Sequence, residues 1–160
     1  MSLIDIGDKA PDFTLPSDSG APLKLSSLKG RHVVLYFYPK DDTPGCTAEA
    51  CGFNDSLKAF EKLDAIIIGI SKDSVASHQK FKKKYDLKFD LVSDEDGSVC
   101  EAYGTWMEKS MYGRKYMGID RATFLIDGKG KIAGVWRKVK VPGHVDEVKK
   151  SLSELSKKAA

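Results

Sequence analysis

Cys46 and Cys51 stand where a protein chain could use sulfur for chemistry. An apolar, β-rich run ends at Pro39, a turn follows, and Cys46 then falls in the first turn of a predicted helix. Free backbone N–H groups and the positive end of the helix dipole lie at such a position, and both favour a thiolate over a thiol. The thiolate is the nucleophilic form of cysteine. We therefore interpret Cys46 as a redox-active sulfur, with Cys51 as its partner in the same helix.

Two motifs carry a resemblance to a known family. The first is Pro39-x-x-x-Thr43-x-x-Cys46, and the second is the segment 120–127, which includes Arg121. They resemble the active-site signature and the arginine-bearing strand of the peroxiredoxins, which are thiol peroxidases built on a thioredoxin-like fold. Three further features are similar to the bacterioferritin-comigratory-protein (PrxQ) branch: the Cys46/Cys51 spacing, Ser71-Lys72-Asp73 and the segment 140–144. The resemblance extends over residues 7–155.

The resemblance implies a catalytic cycle at two sulfurs. Cys46 would reduce a peroxide and become a sulfenic acid, which Cys51 would condense to an intramolecular disulfide. On ordinary helix dimensions the two Cα atoms lie about 8–9 Å apart, whereas a disulfide needs them within about 7 Å. The helix must therefore unwind locally over residues 46–51 before the disulfide can form. We interpret the third cysteine, Cys100, as a small buried side chain.

Five further residues receive roles from the same resemblance. Thr43 would hold the peroxide through its hydroxyl group and backbone, and Pro39 would pack over the thiolate and limit the access of water. Arg121 would be the permanent cation beside the thiolate. Glu49 would orient Arg121, and Thr47 is a supporting residue in the same first turn. Taken alone, Arg121 could instead pair with a neighbouring aspartate on the surface, and this alternative stays open.

The other chemical side chains indicate no metal and no cofactor. The three histidines are scattered singly, without metal-ligand spacing to the cysteines. We interpret His78 and His144 as structural or exposed residues. An aromatic and methionine cluster could line a groove for organic peroxides, or it could simply pack against the protein. Its members are Trp106, Met107, Met111, Tyr112, Tyr116 and Met117.

Composition and charge describe an ordinary globular chain. The 160 residues, 41% hydrophobic and 31% charged, fit one domain over residues 1–160. A net charge of +3 without a coherent basic stripe and stacking aromatics argues against a nucleic-acid partner. No apolar stretch is long enough for a membrane span, and the first residues lack a signal-peptide pattern. Three cysteines suit a reducing compartment, so we expect a cytoplasmic monomer.

The pattern of apolar runs and turns predicts an α/β fold, with a central mixed β-sheet flanked by helices. Residues 104–118 are expected to form a long surface loop, and Asp73 or Ser74 to cap the second helix. This order of elements is the thioredoxin-like one. Strands are expected at 13–15, 23–25, 32–38, 64–71, 89–92, 122–126 and 131–136, and helices at 46–62, 74–85, 98–103 and 145–156.

The leading hypothesis is a thiol peroxidase that reduces hydrogen peroxide and organic hydroperoxides. Thioredoxin or a similar thiol reductant would recycle it. Two alternatives use the same sulfurs: a thioredoxin-fold dithiol–disulfide oxidoreductase, and a peroxide sensor that does not turn over. Thr43 and Arg121 favour the peroxidase over the oxidoreductase, because disulfide exchange needs no peroxide-binding pair. The sensor would use the same site, so the sequence leaves that alternative open.

Overall fold

A computed structural model describes residues 3–159, the last two by their backbone alone. Residues 1, 2 and 160 of the expected domain lie outside this part. The elements, in chain order, are β1 (Thr14–Pro16), β2 (Pro22–Lys24), β3 (His32–Phe37), α1 (Pro44–Asp55), α2 (Leu57–Lys62), β4 (Ala65–Ser71), α3 (Val75–Tyr85), β5 (Asp90–Ser93), α4 (Ser98–Ala102), β6 (Trp106–Met111), β7 (Arg114–Ile119), β8 (Ala122–Ile126), β9 (Ile132–Trp136) and α5 (His144–Ala159).

The central sheet has the strand order β5-β4-β3-β8-β9. β3, β4 and β5 are parallel neighbours, whereas β8 runs antiparallel to β3, and β9 antiparallel to β8. β1 and β2 form a separate antiparallel pair. The predicted mixed sheet is therefore confirmed, and so is the Ser74 cap, whose side chain accepts a hydrogen bond from the Ser77 N–H.

Both faces of β3 are buried, as its continuous apolar run predicts. Successive side chains of a strand point to opposite faces of the sheet. One set packs with α4 and the N-terminal segment, and the other packs with the helices α1, α2, α3 and α5. The sets are Val33, Leu35 and Phe37 on the first face, and Val34, Tyr36 and Tyr38 on the second.

The helix predicted over residues 46–62 is in fact two helices. α1 begins at Pro44 and ends at Asp55, and Ser56 separates it from α2. The Ser56 N–H bonds to the carbonyl groups of Gly52 and Phe53, at 3.3 and 3.2 Å. The apolar spacing continues across Ser56 from one helix into the next, so the sequence pattern did not reveal the break.

The prediction of a loop over residues 104–118 is wrong. β6 and β7 pair there as an antiparallel hairpin. Tyr112 and Gly113 form its turn with φ values of 52° and 77°, the positive values that a tight hairpin turn requires. Most of the hairpin is exposed, so its sequence lacks the alternation of buried and exposed side chains that identifies a strand.

Within the described residues 3–159, no helix is both long enough and apolar enough to span a membrane.

Candidate active site

Cys46 lies in the first turn of α1, beyond the carboxyl end of β3. Thr43 is the N-cap residue, with extended backbone angles, and Pro44 takes the first helical position. A proline is favoured there, because the missing N–H would have no partner within the helix. Cys46 is only 1% exposed. The sulfur is therefore sheltered from water at the positive end of the helix dipole.

Arg121 joins this sulfur to a buried carboxylate. It directly precedes β8, and the pairing of Ala122 with Phe37 brings it to the end of β3. Its Nη1 donates to Glu49 Oε1 at 2.7 Å, and its Nη2 donates to Cys46 Sγ at 3.4 Å. The structure thus contradicts the alternative of a surface pair between Arg121 and a neighbouring aspartate. A permanent cation thus lies in direct contact with the sulfur of Cys46.

Glu49 is completely buried on α1, with 0% of its side chain exposed. Burial raises the pKa of Glu49 to about 7, against the charge and hydrogen bond of Arg121, which lower it. Burial also lowers the pKa of Arg121, but the charges of Glu49 and Cys46 outweigh it and leave this pKa raised. The guanidinium group therefore stays charged between the two acidic groups.

The loop before α1 carries the other expected site residues. Thr43 Oγ1 donates to the Lys40 carbonyl oxygen at 2.9 Å instead of capping the helix. The hydroxyl proton of Thr43 is therefore engaged in this hydrogen bond, and the lone pairs of Oγ1 remain able to accept a hydrogen bond from a peroxide. Pro39 is exposed, whereas Thr47 is half-buried in the first turn of α1.

All three cysteines are free thiols. Cys51 is half-buried on α1, and burial, with the charge of Asp55, raises its pKa. Because α1 is continuous from Pro44 to Asp55, its intact form holds Cys46 and Cys51 apart. Cys100 is fully buried, and burial together with Asp94 raises its pKa far above its ordinary value. It is the small buried side chain that the sequence indicates.

Gly45 and Lys109 also shape the site, although the sequence did not single out either. A Cβ atom at Gly45 would lie 3.1 Å from Arg121 Nη2, so a larger residue would push the guanidinium group away by a few tenths of an ångström. The available sequence signal was the position of Gly45 between Pro44, which starts the helix, and Cys46. Lys109 is half-buried on β6, and burial lowers its pKa despite the charges of Asp120 and Cys46.

Most of the aromatic and methionine cluster does not pack into the core. Four of its six members are 43–99% exposed: Met111, Tyr112, Tyr116 and Met117. Trp106 and Met107 are half-buried, and Lys72 Nζ lies 4.0 Å from the Trp106 ring centroid. The alternative that these side chains simply pack against the protein is therefore wrong for the four exposed members.

Known proteins resemble this chain in sequence and in fold. The AhpC/TSA family model matches residues 6–135. A putative peroxiredoxin bcp of Coxiella burnetii is 59% identical over 145 residues, covering 91% of this chain and 96% of that protein. Peroxiredoxin Bcp of Bacillus subtilis is 52% identical over 155 residues, covering 97% of this chain and 99% of that protein. A solved PrxQ structure from Xylella fastidiosa has a TM-score of 0.90 at 41% identity and covers 100% of both chains.

These matches define a thiol peroxidase of the thioredoxin-like fold. The chain belongs to the AhpC/TSA family and, within it, to the Bcp/PrxQ peroxiredoxins. The fold and the class of enzyme that the sequence predicts are both confirmed.

Proposed function

We propose that Cys46 is the sulfur that attacks hydroperoxides, within a single domain, and that Arg121, Glu49 and Thr43 prepare it for this reaction. The observation that carries the proposal is the Arg121 guanidinium group, which contacts Cys46 Sγ and Glu49 at once. A cation held in this way stabilises the thiolate before the reaction. Pro39 and Thr47 are proposed to support the same site from the loop and the first turn.

The first step cleaves the O–O bond. The Cys46 thiolate attacks the terminal oxygen of R–O–OH, a sulfur–oxygen bond forms, and an alkoxide RO⁻ leaves and takes up a proton to give the alcohol. Cys46 is thereby oxidised to a sulfenic acid and the peroxide is reduced. The positive charge of Arg121 faces the oxygen on which negative charge develops.

The second step is proposed to form the Cys46–Cys51 disulfide. The Cys51 thiol attacks the sulfenic acid, the S–S bond forms and water leaves. A dithiol reductant, which we propose to be thioredoxin, then reduces this disulfide by thiol–disulfide exchange. Because α1 must open before the sulfurs meet, the disulfide would be presented on an unwound segment.

We propose organic hydroperoxides, together with hydrogen peroxide, as substrates. A solved structure of a bacterioferritin comigratory protein from Xanthomonas campestris concerns that protein's alkyl peroxide reduction activity. It is 42% identical, with a TM-score of 0.89 and coverage of 95% of this chain. The exposed hairpin side chains Met111, Tyr116 and Met117 offer apolar surface to an alkyl group.

We also propose a cytoplasmic monomer that works without nucleic acid or a membrane. Three free thiols suit a reducing compartment. The small net charge of +3 gives no electrostatic basis for binding nucleic acid.

The Cys51→Ser variant tests the two steps separately. We expect it to consume one equivalent of peroxide at a near-native rate, because the first step does not use Cys51. Turnover with thioredoxin should fail, leaving a sulfenic acid that dimedone traps. The matched control Cys100→Ser should turn over normally, and Cys46→Ser should not react.

Three results would contradict the proposal. Continued turnover in Cys51→Ser would mean that another thiol resolves the sulfenic acid. A wild-type protein that is oxidised once but never recycled by thioredoxin would indicate the sensor instead of the peroxidase. A protein that exchanges disulfides with other proteins but does not react with peroxide would indicate the dithiol oxidoreductase.

A further inference from the structure

A buried carboxylate anchors the loop that carries Pro39 and Thr43. Asp41 lies between these two residues and is 7% exposed. Its backbone N–H donates to Asp73 Oδ2 at 2.8 Å, and Ser71 Oγ donates to the same oxygen at 2.7 Å. The loop is therefore fastened to the end of β4 by its backbone, and its side chain remains free for a second attachment.

The Asp41 side chain makes this second attachment to α3. It accepts hydrogen bonds from Tyr38 Oη at 2.5 Å and from Ser77 Oγ at 2.8 Å. His78 Nδ1 lies 2.7 Å from Asp41 Oδ2, and His78 is fully buried. The first turn of α3 thus holds the loop through one carboxylate, and no step of the peroxidase reaction uses His78 directly.

Both ring nitrogens of His78 face acceptors. Nε2 lies 2.9 Å from the Val92 carbonyl oxygen, which can only accept. Nδ1 faces a carboxylate that already accepts two hydroxyl hydrogen bonds. Both ring nitrogens must therefore carry a proton and donate, so the ring is an imidazolium ion. Burial by itself lowers the pKa of His78, but the hydrogen bond and charge of Asp41, with the Val92 carbonyl and Asp73, raise it above its ordinary value.

A metal ion is the other interpretation of this cluster. Asp41, Asp73 and His78 bring ligand atoms within 4.8 Å of one another. Hydrogen-bond donors already occupy both oxygens of Asp41 and Oδ2 of Asp73. The structure therefore favours a protonated His78 that is hydrogen-bonded to the Asp41 carboxylate over a bound metal ion.

We propose that protonated His78 is a positioning residue for the peroxidase reaction, because through Asp41 it holds Thr43 where a peroxide meets Cys46. This role rests on the proposed function of Thr43. The groups facing His78 are Asp41 from the loop, Tyr38 from the end of β3, Asp73 from the end of β4 and the Val92 carbonyl of β5. Loss of the proton would remove the positive charge beside the Asp41 carboxylate and leave one ring nitrogen without a proton against an acceptor, which would weaken the hold on the loop.

The pH dependence has a definite sign. The folded-state pKa of His78 is raised, so its stabilising contribution is complete below the ordinary value of about 6.5. It is lost as the pH rises through the raised value. The peroxide rate of the wild type should therefore show an alkaline decrease that depends on His78.

The His78→Gln variant tests the positioning role. Its amide can still donate a hydrogen bond, but it carries no charge. We expect the second-order rate of Cys46 oxidation by hydroperoxide to fall about 10-fold near neutral pH, and the alkaline decrease to disappear. Alkylation of Cys46 by iodoacetamide should keep its wild-type rate, because Arg121 still faces the sulfur. A merely destabilised protein would not separate the two rates in this way.

Tyr103→Phe is the matched control. It removes a buried hydrogen bond of 2.6 Å, from Tyr103 Oη to the Pro11 carbonyl, on the other face of the sheet. Both rates should stay at the wild-type level. If His78→Gln does not fold, ¹⁵N NMR of the wild type decides: two protonated ring nitrogens at neutral pH support the proposal, and one unprotonated nitrogen overturns it.

Failure of this role differs from failure of the proposed function. A wild type that reacts with peroxide, together with an equally reactive His78→Gln variant, would overturn the positioning role alone. A wild type that is inert to peroxide would overturn both.

Discussion

Cys46 and Cys100 are almost equally buried, with exposed fractions of 1% and 0%. Their charged neighbours have opposite signs. The Arg121 guanidinium group lies 3.4 Å from the sulfur of Cys46, whereas Cys100 lies beside the carboxylate of Asp94, which adds to burial in raising its pKa. The sign of one neighbouring charge therefore distinguishes the cysteine that we propose to be reactive from the buried Cys100.

Arg121→Lys tests whether this neighbour acts through more than its charge. Lysine keeps the positive charge but loses the planar fork that reaches Cys46 and Glu49 together. We expect the rate of Cys46 oxidation to fall about 100-fold, equivalent to about 2.7 kcal/mol of barrier. Stopped-flow measurement of the reaction with hydrogen peroxide checks this. A lysine variant that reacts as fast as the wild type would show that Arg121 is structural.

Gly45→Ala probes the same contact from the helix. Alanine favours a helix over glycine by about 1 kcal/mol, so thermal unfolding should show an unchanged or slightly raised stability. The new Cβ would lie 3.1 Å from Arg121 Nη2 and displace the guanidinium group. We expect a slower reaction with peroxide in a protein that is no less stable. Equal rates for wild type and variant would mean that Arg121 tolerates the displacement.

At the scale of the element, α1 carries the proposed site, and the proposed Cys46–Cys51 disulfide requires this helix to open. Its buried side chains are Cys46, Glu49, Ala50 and Phe53, and its N-cap side chain makes no hydrogen bond to the helix. Gly52, next to Cys51, costs about 1 kcal/mol relative to alanine in a helix interior. The helix is therefore held by buried side chains from Cys46 to Phe53, and it lacks a capping side chain at the end where Cys46 would have to move.

Amide exchange shows whether α1 opens. We expect exchange across residues 46–52 to rise sharply when the wild type is oxidised, because the disulfide cannot form in the intact helix. The β3 and β4 amides should stay protected in the same sample. Oxidised Cys51→Ser is the control, since it forms no such disulfide and should keep a protected helix. An oxidised wild type with unchanged exchange over 46–52 would contradict the resolving role of Cys51.

At the scale of the whole molecule, a second buried histidine lies between the sheet and its helices, and the charge of Arg121 affects its pKa. His144 begins α5, is 3% exposed, and lies with Nε2 2.7 Å from Thr123 Oγ1. Its ring is 6.2 Å from that of Phe53 and 5.9 Å from that of Trp136. Burial, and secondly the charge of Arg121, lower the pKa of His144 to about 4. It is therefore neutral at pH values where an exposed histidine is charged.

This histidine should make the folded state sensitive to acid. Because the unfolded chain titrates near 6.5, the contribution of neutral His144 is present above that pH and is lost as the pH falls to about 4. The loss is at most about 3 kcal/mol in the free energy of unfolding. Urea unfolding of wild type and His144→Gln, compared near neutral pH and near pH 4.5, should show a smaller acid loss in the variant.

An acid loss in His144→Gln as large as in the wild type would show that other groups account for the acid sensitivity.

The sequence by itself determined the features that depend on local pattern. The buried strand before Pro39, the helix with Cys46 in its first turn and the hairpin signal between β8 and β9 are each set by neighbouring residues, because backbone preferences act over a few positions. The family motifs then identified the class of enzyme. The break at Ser56 was missed because it does not interrupt the apolar pattern. The exposed β6–β7 hairpin was missed because it does not create one.

Only the tertiary structure decided which charges meet. Arg121 is 72 residues from Glu49 and 75 from Cys46 in sequence, and the register of β8 against β3 brings them together. His78 likewise reaches Asp41 across 37 residues, because α3 packs beside the end of β3. No local propensity encodes such distances. Ion pairs and shared protons depend on separations of a few ångströms between distant segments, and these are settled when the sheet and its helices pack.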